Sequence, residues 1–383
     1  MQNKLEVKEN LMSEQKKIII DEKMFFKTVI AESDVRFYDV RKEPFEVYGL
    51  YNYRTEPQFK RMPDEIGRSV NDRVARLYQC TAGGRVRFST DSRYVAIRAK
   101  MPHVHASANL SLMGGAGLDL YVDVPETGTS QYFRSFVPPV DVEADGGYES
   151  ILKFPSRELR HFTINFPTYS EVSDLWIGVQ EDAVVGKGMK YRDVFPILYA
   201  GSSITQGGCA SRPGNAYQAI ISRRLNIDFL NLGFSGSFMA EDVMVDYLNT
   251  LPMSVFVSDY DHNAPTAEHL KNTHYRMYEK IREKHPDLPY VMISRPDVLN
   301  NEYSPTTKGK LSSGTVIRRE IIFDSYRKAI ANGDRNVYFI DGDSFFAGEY
   351  QDCATVDSTH PNDYGMVRMA DVIGCTLRKL NLK

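Results

Sequence analysis

Cysteine is scarce in this chain: four residues (Cys80, Cys209, Cys353 and Cys375) in 383, with no Cys-x-x-Cys pair among them. A chain of this size needs no disulfide scaffold, and such spacing does not make a zinc site. Charge of one sign is also lacking. Lys and Arg number 47 against 50 Asp and Glu, a formal net charge of −3, and no long basic run stands out. Nothing electrostatic therefore points to a nucleic-acid or anionic-membrane partner. No apolar run reaches the ~18 residues of a membrane span. The first twenty residues, MQNKLEVKENLMSEQKKIII, lack the apolar core of a secretory signal, so a cytoplasmic location is the expectation. The one tryptophan, Trp176, lies in Leu-Trp-Ile-Gly-Val and is expected in a core rather than on a sugar platform.

What is present divides into two periodicities. From about residue 34 to 180, short extended segments alternate with turn residues, as in Val86-Arg-Phe-Ser, Leu118-Asp-Leu-Tyr-Val-Asp-Val and Phe162-Thr-Ile-Asn-Phe. In Tyr94-Val-Ala-Ile-Arg-Ala-Lys, Val95, Ile97 and Ala99 fall on one, apolar side, the mark of a half-buried antiparallel strand. Strands at this spacing predict a β-sandwich or jelly roll, with no long amphipathic helix interrupting it. Beyond about residue 191, apolar strands alternate with helical stretches near residues 215–225, 240–248, 266–284, 316–331 and 364–377. That alternation predicts a parallel sheet covered by helices on both faces. The expected organisation is an arm (1–30), a sandwich (31–190) and an α/β/α half (191–383). In such a sheet chemistry belongs to the loops at the carboxyl ends of the strands.

Four of those loops carry candidate residues. Gly201-Ser-Ser-Ile-Thr-Gln-Gly can lift the Ser203 hydroxyl above the sheet beside the amides of the next helix, as an acyl-transfer nucleophile requires; an ordinary turn or helix cap reads the same way. In Asn231-Leu-Gly-Phe-Ser-Gly-Ser, Gly236 can offer an amide to a developing oxyanion or serve only as a turn, and the loop is not a GxSxG elbow. Ser258-Asp-Tyr-Asp-His-Asn-Ala-Pro offers the Asn263 side chain, with Asp261 and His262 as structural or substrate-contacting residues. In Asp357-Ser-Thr-His360, the carboxylate can fold back on the imidazole and leave Nε2 free to accept a proton. His103 and His105, two apart, lack an evident third metal ligand.

The order Ser, Gly, Asn, His across successive loops resembles the SGNH (GDSL-like) hydrolase superfamily, over about residues 195–383. The family's first block usually reads GDSxTxG and here reads GSSITQG, with Ser202 where Asp is typical. The third block reads DYDHNA in place of GxND. The resemblance implies a three-layer α/β/α hydrolase fold, Ser203 as nucleophile and Asp357 and His360 as its partners. It also implies an oxyanion hole from the amides of Ser203 and Gly236 and the Asn263 side chain. Gly117-Leu-Asp-Leu-Tyr121 is similar to the GxDLY motif of the β-sandwich that precedes this fold in a subgroup, and leaves Asp119 either buried or facing the cleft. No cofactor or metal is implied. Two-domain members resemble carbohydrate esterases, so a small-molecule or oligosaccharide ester is the expected partner. A broad short-chain esterase or thioesterase, or an inert sugar-binding protein, are the alternatives.

Overall fold

A computed structural model of the chain describes residues 28–296, 313–348, 350–380 and 382. The first 27 residues of the expected arm lie outside that set. The amino-terminal half holds ten strands: β1 (Val35–Asp39), β2 (Glu46–Tyr48), β3 (Arg85–Thr90), β4 (Tyr94–Lys100), β5 (Leu118–Val124), β6 (Thr129–Phe136), β7 (Gly147–Lys153), β8 (Arg160–Asn165), β9 (Asp174–Gln180) and β10 (Val185–Lys187). They form two antiparallel sheets, β1-β9-β4-β7 and β10-β3-β8-β5-β6, with β2 added along β3. Val95, Ile97 and Ala99 of β4 pack against Val86 and Phe88 of β3 and Leu118 and Leu120 of β5 in one sealed core. The two-residue alternation read from β4 therefore places its apolar side correctly. Trp176 does not join this core. It is half-buried on the opposite side of β9 from Leu175 and Ile177, with the Lys100 ammonium 5.3 Å from its ring centroid.

The second half is a parallel sheet in the order β12-β11-β13-β14-β15, built from β11 (Ile197–Gly201), β12 (Phe229–Gly233), β13 (Val255–Asp259), β14 (Tyr290–Ile293) and β15 (Val337–Ile340). Ile197 and Tyr199 point to one face, under the helices Tyr217–Leu225 and Asp363–Arg378. Leu198 and Ala200 point to the other, under Asp242–Leu248, Ala267–Lys284 and Ser313–Ala331. Both faces are buried, which is why these strands read as unbroken apolar runs. Helix starts follow local chemistry: the Thr266 side chain accepts from the His269 amide, and the Asn362 side chain from the Gly365 amide. The fold is the three-layer α/β/α architecture, preceded by an antiparallel β unit, that the sequence predicts.

Two features go beyond the expectation. Residues 59–78, inside the stretch read as strands and turns, contain the short helices Asp64–Val70 and Val74–Leu77. Met62, Val74 and Tyr78 complete the core beneath the parallel sheet rather than the sandwich core. The buried Arg61 guanidinium donates to the carbonyls of Gly233 (2.5 Å) and Leu77 (2.7 Å) and lies 4.3 Å from the Phe234 ring centroid, so this segment is bolted to the loop after β12.

The second feature is Asp119, left open above between burial and a place facing the cleft as a possible substrate contact. It is wholly buried. Its Oδ1 accepts from Asn165 Nδ2 (2.8 Å), and its Oδ2 from Arg212 Nη1 and the Gly214 amide (2.8 Å each). Arg212 also donates to Tyr121 of the same motif. A Cβ on Gly214 would stand 2.5 Å from the Tyr121 hydroxyl oxygen, so only glycine fits there. The Gly-x-Asp-Leu-Tyr motif is thus a clamp fastening β5 to the loop that enters helix Tyr217–Leu225. Removing one member of a buried ion pair strands its partner, so Asp119→Ala should cost about 3–5 kcal/mol in a urea titration. A midpoint equal to wild type would contradict the clamp.

Candidate active site

The loops after β11, β12 and β13 meet because those strands are hydrogen-bonded neighbours, with Gly201 opposite both Gly233 and Asp259. Gly201 turns the chain into the one-turn helix Ser203–Gln206. Ser202, where the family has Asp, caps that helix: its buried hydroxyl accepts from the Ile204 amide at 3.2 Å. Beneath the loop, the Thr205 hydroxyl donates to the Asp259 carboxyl at 3.2 Å. Burial pushes that carboxyl up to about 7, with the Thr205 bond opposing the shift and the Asp261 charge adding to it.

Ser203 sits in the first turn, 7% exposed, its Oγ 2.8 Å from His360 Nε2. His360 comes from the loop before the last helix. There Ser358 adopts a left-handed backbone (φ +65°) that folds the turn tightly enough for Asp357 Oδ1 to accept the amides of Thr359 (3.1 Å) and His360 (2.7 Å). Asp357 Oδ2 then meets His360 Nδ1 at 2.8 Å. A carboxylate there fixes the tautomer with the proton on Nδ1, leaving Nε2 to accept from Ser203. Burial opposes ionisation of Asp357. The His360 amide, the Asn109 side chain and the His360 ring more than offset it and hold the carboxyl at about 2.

Gly236 takes a left-handed backbone (φ +62°), and a Cβ there would lie 2.9 Å from the Arg73 guanidinium. Asn263 is nearly buried, and its Nδ2 donates to the Phe234 carbonyl at 2.9 Å, joining the loops after β12 and β13. Of the two roles left open for Asp261, structural or substrate-contacting, the geometry favours the structural one. Its side chain is buried, paired with Arg318 at 3.4 Å and accepting the Arg295 amide at 3.0 Å, which leaves it nothing to offer a substrate. His262, its neighbour, stands close enough to His360 to feel its charge. Burial, with Arg295, His360 and Arg318 adding to it, pulls the imidazole down to about 3, and its buried Nε2 has no hydrogen-bond partner among the described residues.

The sandwich half also reaches the site, which sequence reasoning missed. Asn109 Nδ2 donates to Asp357 Oδ2 at 2.7 Å. The Tyr169 hydroxyl donates to the Ser203 carbonyl at 3.1 Å, and the His105 ring lies against Tyr169 with centroids 5.7 Å apart. A cavity of about 130 Å³ lined by His360, Gly208, Cys209, Ser235, Leu110 and Tyr169 adjoins the imidazole. It shares His105 and Ser235 with a cleft of about 550 Å³ bounded by Arg73, Arg76, Gln79, His103 and Glu171. Among the described residues no group of three or more His, Cys, Asp or Glu is arranged to hold a metal ion. None of the described helices is long and apolar enough to cross a membrane.

Residues 195–378 match the GDSL-like Lipase/Acylhydrolase family, and residues 35–185 match the N-terminus of the SGNH-hydrolase-type esterases (GxDLY). The chain is an SGNH (GDSL-like) hydrolase. Its type is therefore that of an esterase or acylhydrolase. This SGNH hydrolase is similar over nearly its whole length to a structure described as a GDSL-like lipase from Bacteroides ovatus ATCC 8483, at 27% identity and a TM-score of 0.78. The match covers 91% of this chain and 99% of that one. The same fold occurs in a salicylyl-acyltransferase from a tetracycline biosynthetic pathway (18% identity, TM-score 0.71, 92% and 100% covered). It occurs also in a family two carbohydrate esterase from Clostridium thermocellum, solved with cellohexaose (13% identity, TM-score 0.58, 87% and 98% covered). No curated protein matches this SGNH hydrolase.

Proposed function

We propose that this SGNH hydrolase is a serine esterase that removes acetyl groups from carbohydrates. One observation carries the mechanism: the unbroken hydrogen-bonded chain from Ser203 Oγ to His360 Nε2, and from His360 Nδ1 to Asp357, with 2.8 Å at each link. Ser203 Oγ attacks the ester carbonyl while its proton passes to His360 Nε2. Asp357 stabilises the imidazolium without taking a proton. The tetrahedral oxyanion is held by the amides of Ser203 and Gly236 and by the Asn263 side chain. Collapse expels the sugar alkoxide, which leaves with the His360 proton. Water, deprotonated by the same imidazole, then attacks the acyl-enzyme, and acetate departs as Ser203 recovers its proton.

Two features of the cavities support the substrate. The space beside His360, about 130 Å³, equals roughly four water molecules and suits a short acyl group rather than a fatty chain. The adjoining cleft of about 550 Å³ falls in the ordinary range for a ligand site. Arg73, Arg76, His105 and Glu171 line it with donors and an acceptor, the complement of a polyhydroxylated alcohol. The cellohexaose-bound esterase of the same fold accords with this reading. Mass spectrometry of acetylated oligosaccharides before and after treatment should show successive losses of one acetyl mass. Hydrolysis of 4-nitrophenyl acetate with no loss from any acetylated sugar would refute the carbohydrate assignment and keep the esterase.

A further inference from the structure

A side chain from the sandwich half touches the acid of the proposed triad. Asn109 sits in a turn closed by the Leu110 amide donating to the Ser107 carbonyl at 3.3 Å, and its own carbonyl accepts the Cys209 thiol at 3.1 Å. The Ser107 hydroxyl donates to Asn109 Oδ1 at 2.7 Å, which orients the amide with Nδ2 toward Asp357. Nδ2 then meets the same Asp357 oxygen that accepts His360 Nδ1–H, at 2.7 Å, and lies 3.5 Å from Nδ1 itself.

We infer that Asn109 is a positioning residue that tunes His360 through Asp357, so that the sandwich completes the hydrolytic machinery of the other half. The inference rests on the triad proposed above. All four near hydrogen-bonding positions of the Asp357 carboxylate are filled: two by backbone amides on Oδ1, two on Oδ2 by His360 and Asn109. The backbone bonds come from the Asp357 loop itself and set the rotamer. The Asn109 bond comes from another part of the fold and competes with His360 for one oxygen. Donation to a carboxylate disperses its charge and weakens its hold on a neighbouring imidazolium. Deleting the donor therefore strengthens that hold and delays release of the proton from His360 to higher pH.

The other titratable groups facing the pair carry little charge at neutral pH. Burial pushes the Cys209 thiol up to about 11, with the Asp357 charge adding to the shift, and pulls His262 down to about 3, with Arg295, His360 and Arg318 adding to it. Burial also lowers His105, with His103 adding to it. Arg295 and Arg318 act on His262 rather than touching Asp357.

The test is the pH dependence of kcat/KM for 4-nitrophenyl acetate in wild type, Asn109→Ala and the near-isosteric Asn109→Asp. The ascending midpoint should move up by about half a pH unit or more in Asn109→Ala. It should move further in Asn109→Asp, which sets a second carboxylate beside the imidazole. kcat should fall about five- to thirtyfold with KM little changed, the scale of losing one hydrogen bond to a charged group. Ser107→Ala, which only frees the amide to rotate, should fall between wild type and Asn109→Ala. Midpoints that coincide in all four proteins, or a loss confined to KM, would overturn the inference and leave Asn109 as cleft wall. An active Ser203→Ala would instead overturn the underlying triad.

Discussion

Ser203→Ala is expected to lose about 10⁶ in kcat toward simple esters, the scale on which removing the nucleophile disables a triad that acts as a unit. The substitution takes away one oxygen and leaves the helix Ser203–Gln206 capped by Ser202, so the variant should keep the wild-type thermal midpoint. His360 then faces a methyl group and has no proton to accept, and no acyl-enzyme can form. The check is double: a 4-nitrophenyl acetate assay, and intact-mass measurement after an organophosphonate. Wild type should gain one phosphonyl adduct and the variant none. An adduct on the variant would remove Ser203 from the nucleophile's place, and a folded variant with measurable fast turnover would do the same.

Asn263→Ala should lose about 10² to 10³ in kcat with a much smaller change in KM, the effect of removing one oxyanion donor. The asymmetry follows from when the bond is made, because the Asn263 N–H strengthens only as negative charge develops on the carbonyl oxygen. A structural contribution has to be separated from this, because the same amide donates to the Phe234 carbonyl and ties two loops together. Losing that bond lowers stability and leaves every substrate bound equally poorly. Losing an oxyanion donor lowers kcat in a protein that still takes up phosphonate slowly at Ser203. Near-normal turnover would exclude Asn263 from the hole. A rise in KM alone would make it part of the substrate wall.

The sites where sequence reading succeeded and failed divide along one physical line. The strands β11 to β15 and their helices are written in local periodicity, because each strand is buried on both faces and each helix on one. The order of the loops follows from that alternation, and the Asp357–His360 link spans three residues of one turn. The segment 59–78 was invisible because its helices are short and its apolar residues, Met62, Val74 and Tyr78, find their core across the sheet rather than nearby. Asn109 was invisible for the same reason. It stands 248 residues from Asp357, in a stretch with no pattern of its own. Asp261 stayed open between a structural and a substrate-contacting role because a polar loop does not show its distant partners, and Arg318 and the Arg295 amide draw it inside.

Sequence alone determined the layered α/β half and the antiparallel half before it, because those rest on repeat spacing, and the resemblance of its loop blocks to the SGNH family singled out the serine, histidine and aspartate worth testing. Tertiary structure decided that Asp119 is a clamp, that Trp176 lies outside the core, and that the sandwich brings Asn109 to Asp357, the acid of the proposed triad. Those outcomes depend on which distant groups share a buried space, and hydrogen bonds across 93 residues (Arg212 to Asp119) or 248 residues (Asn109 to Asp357) leave no mark on local periodicity.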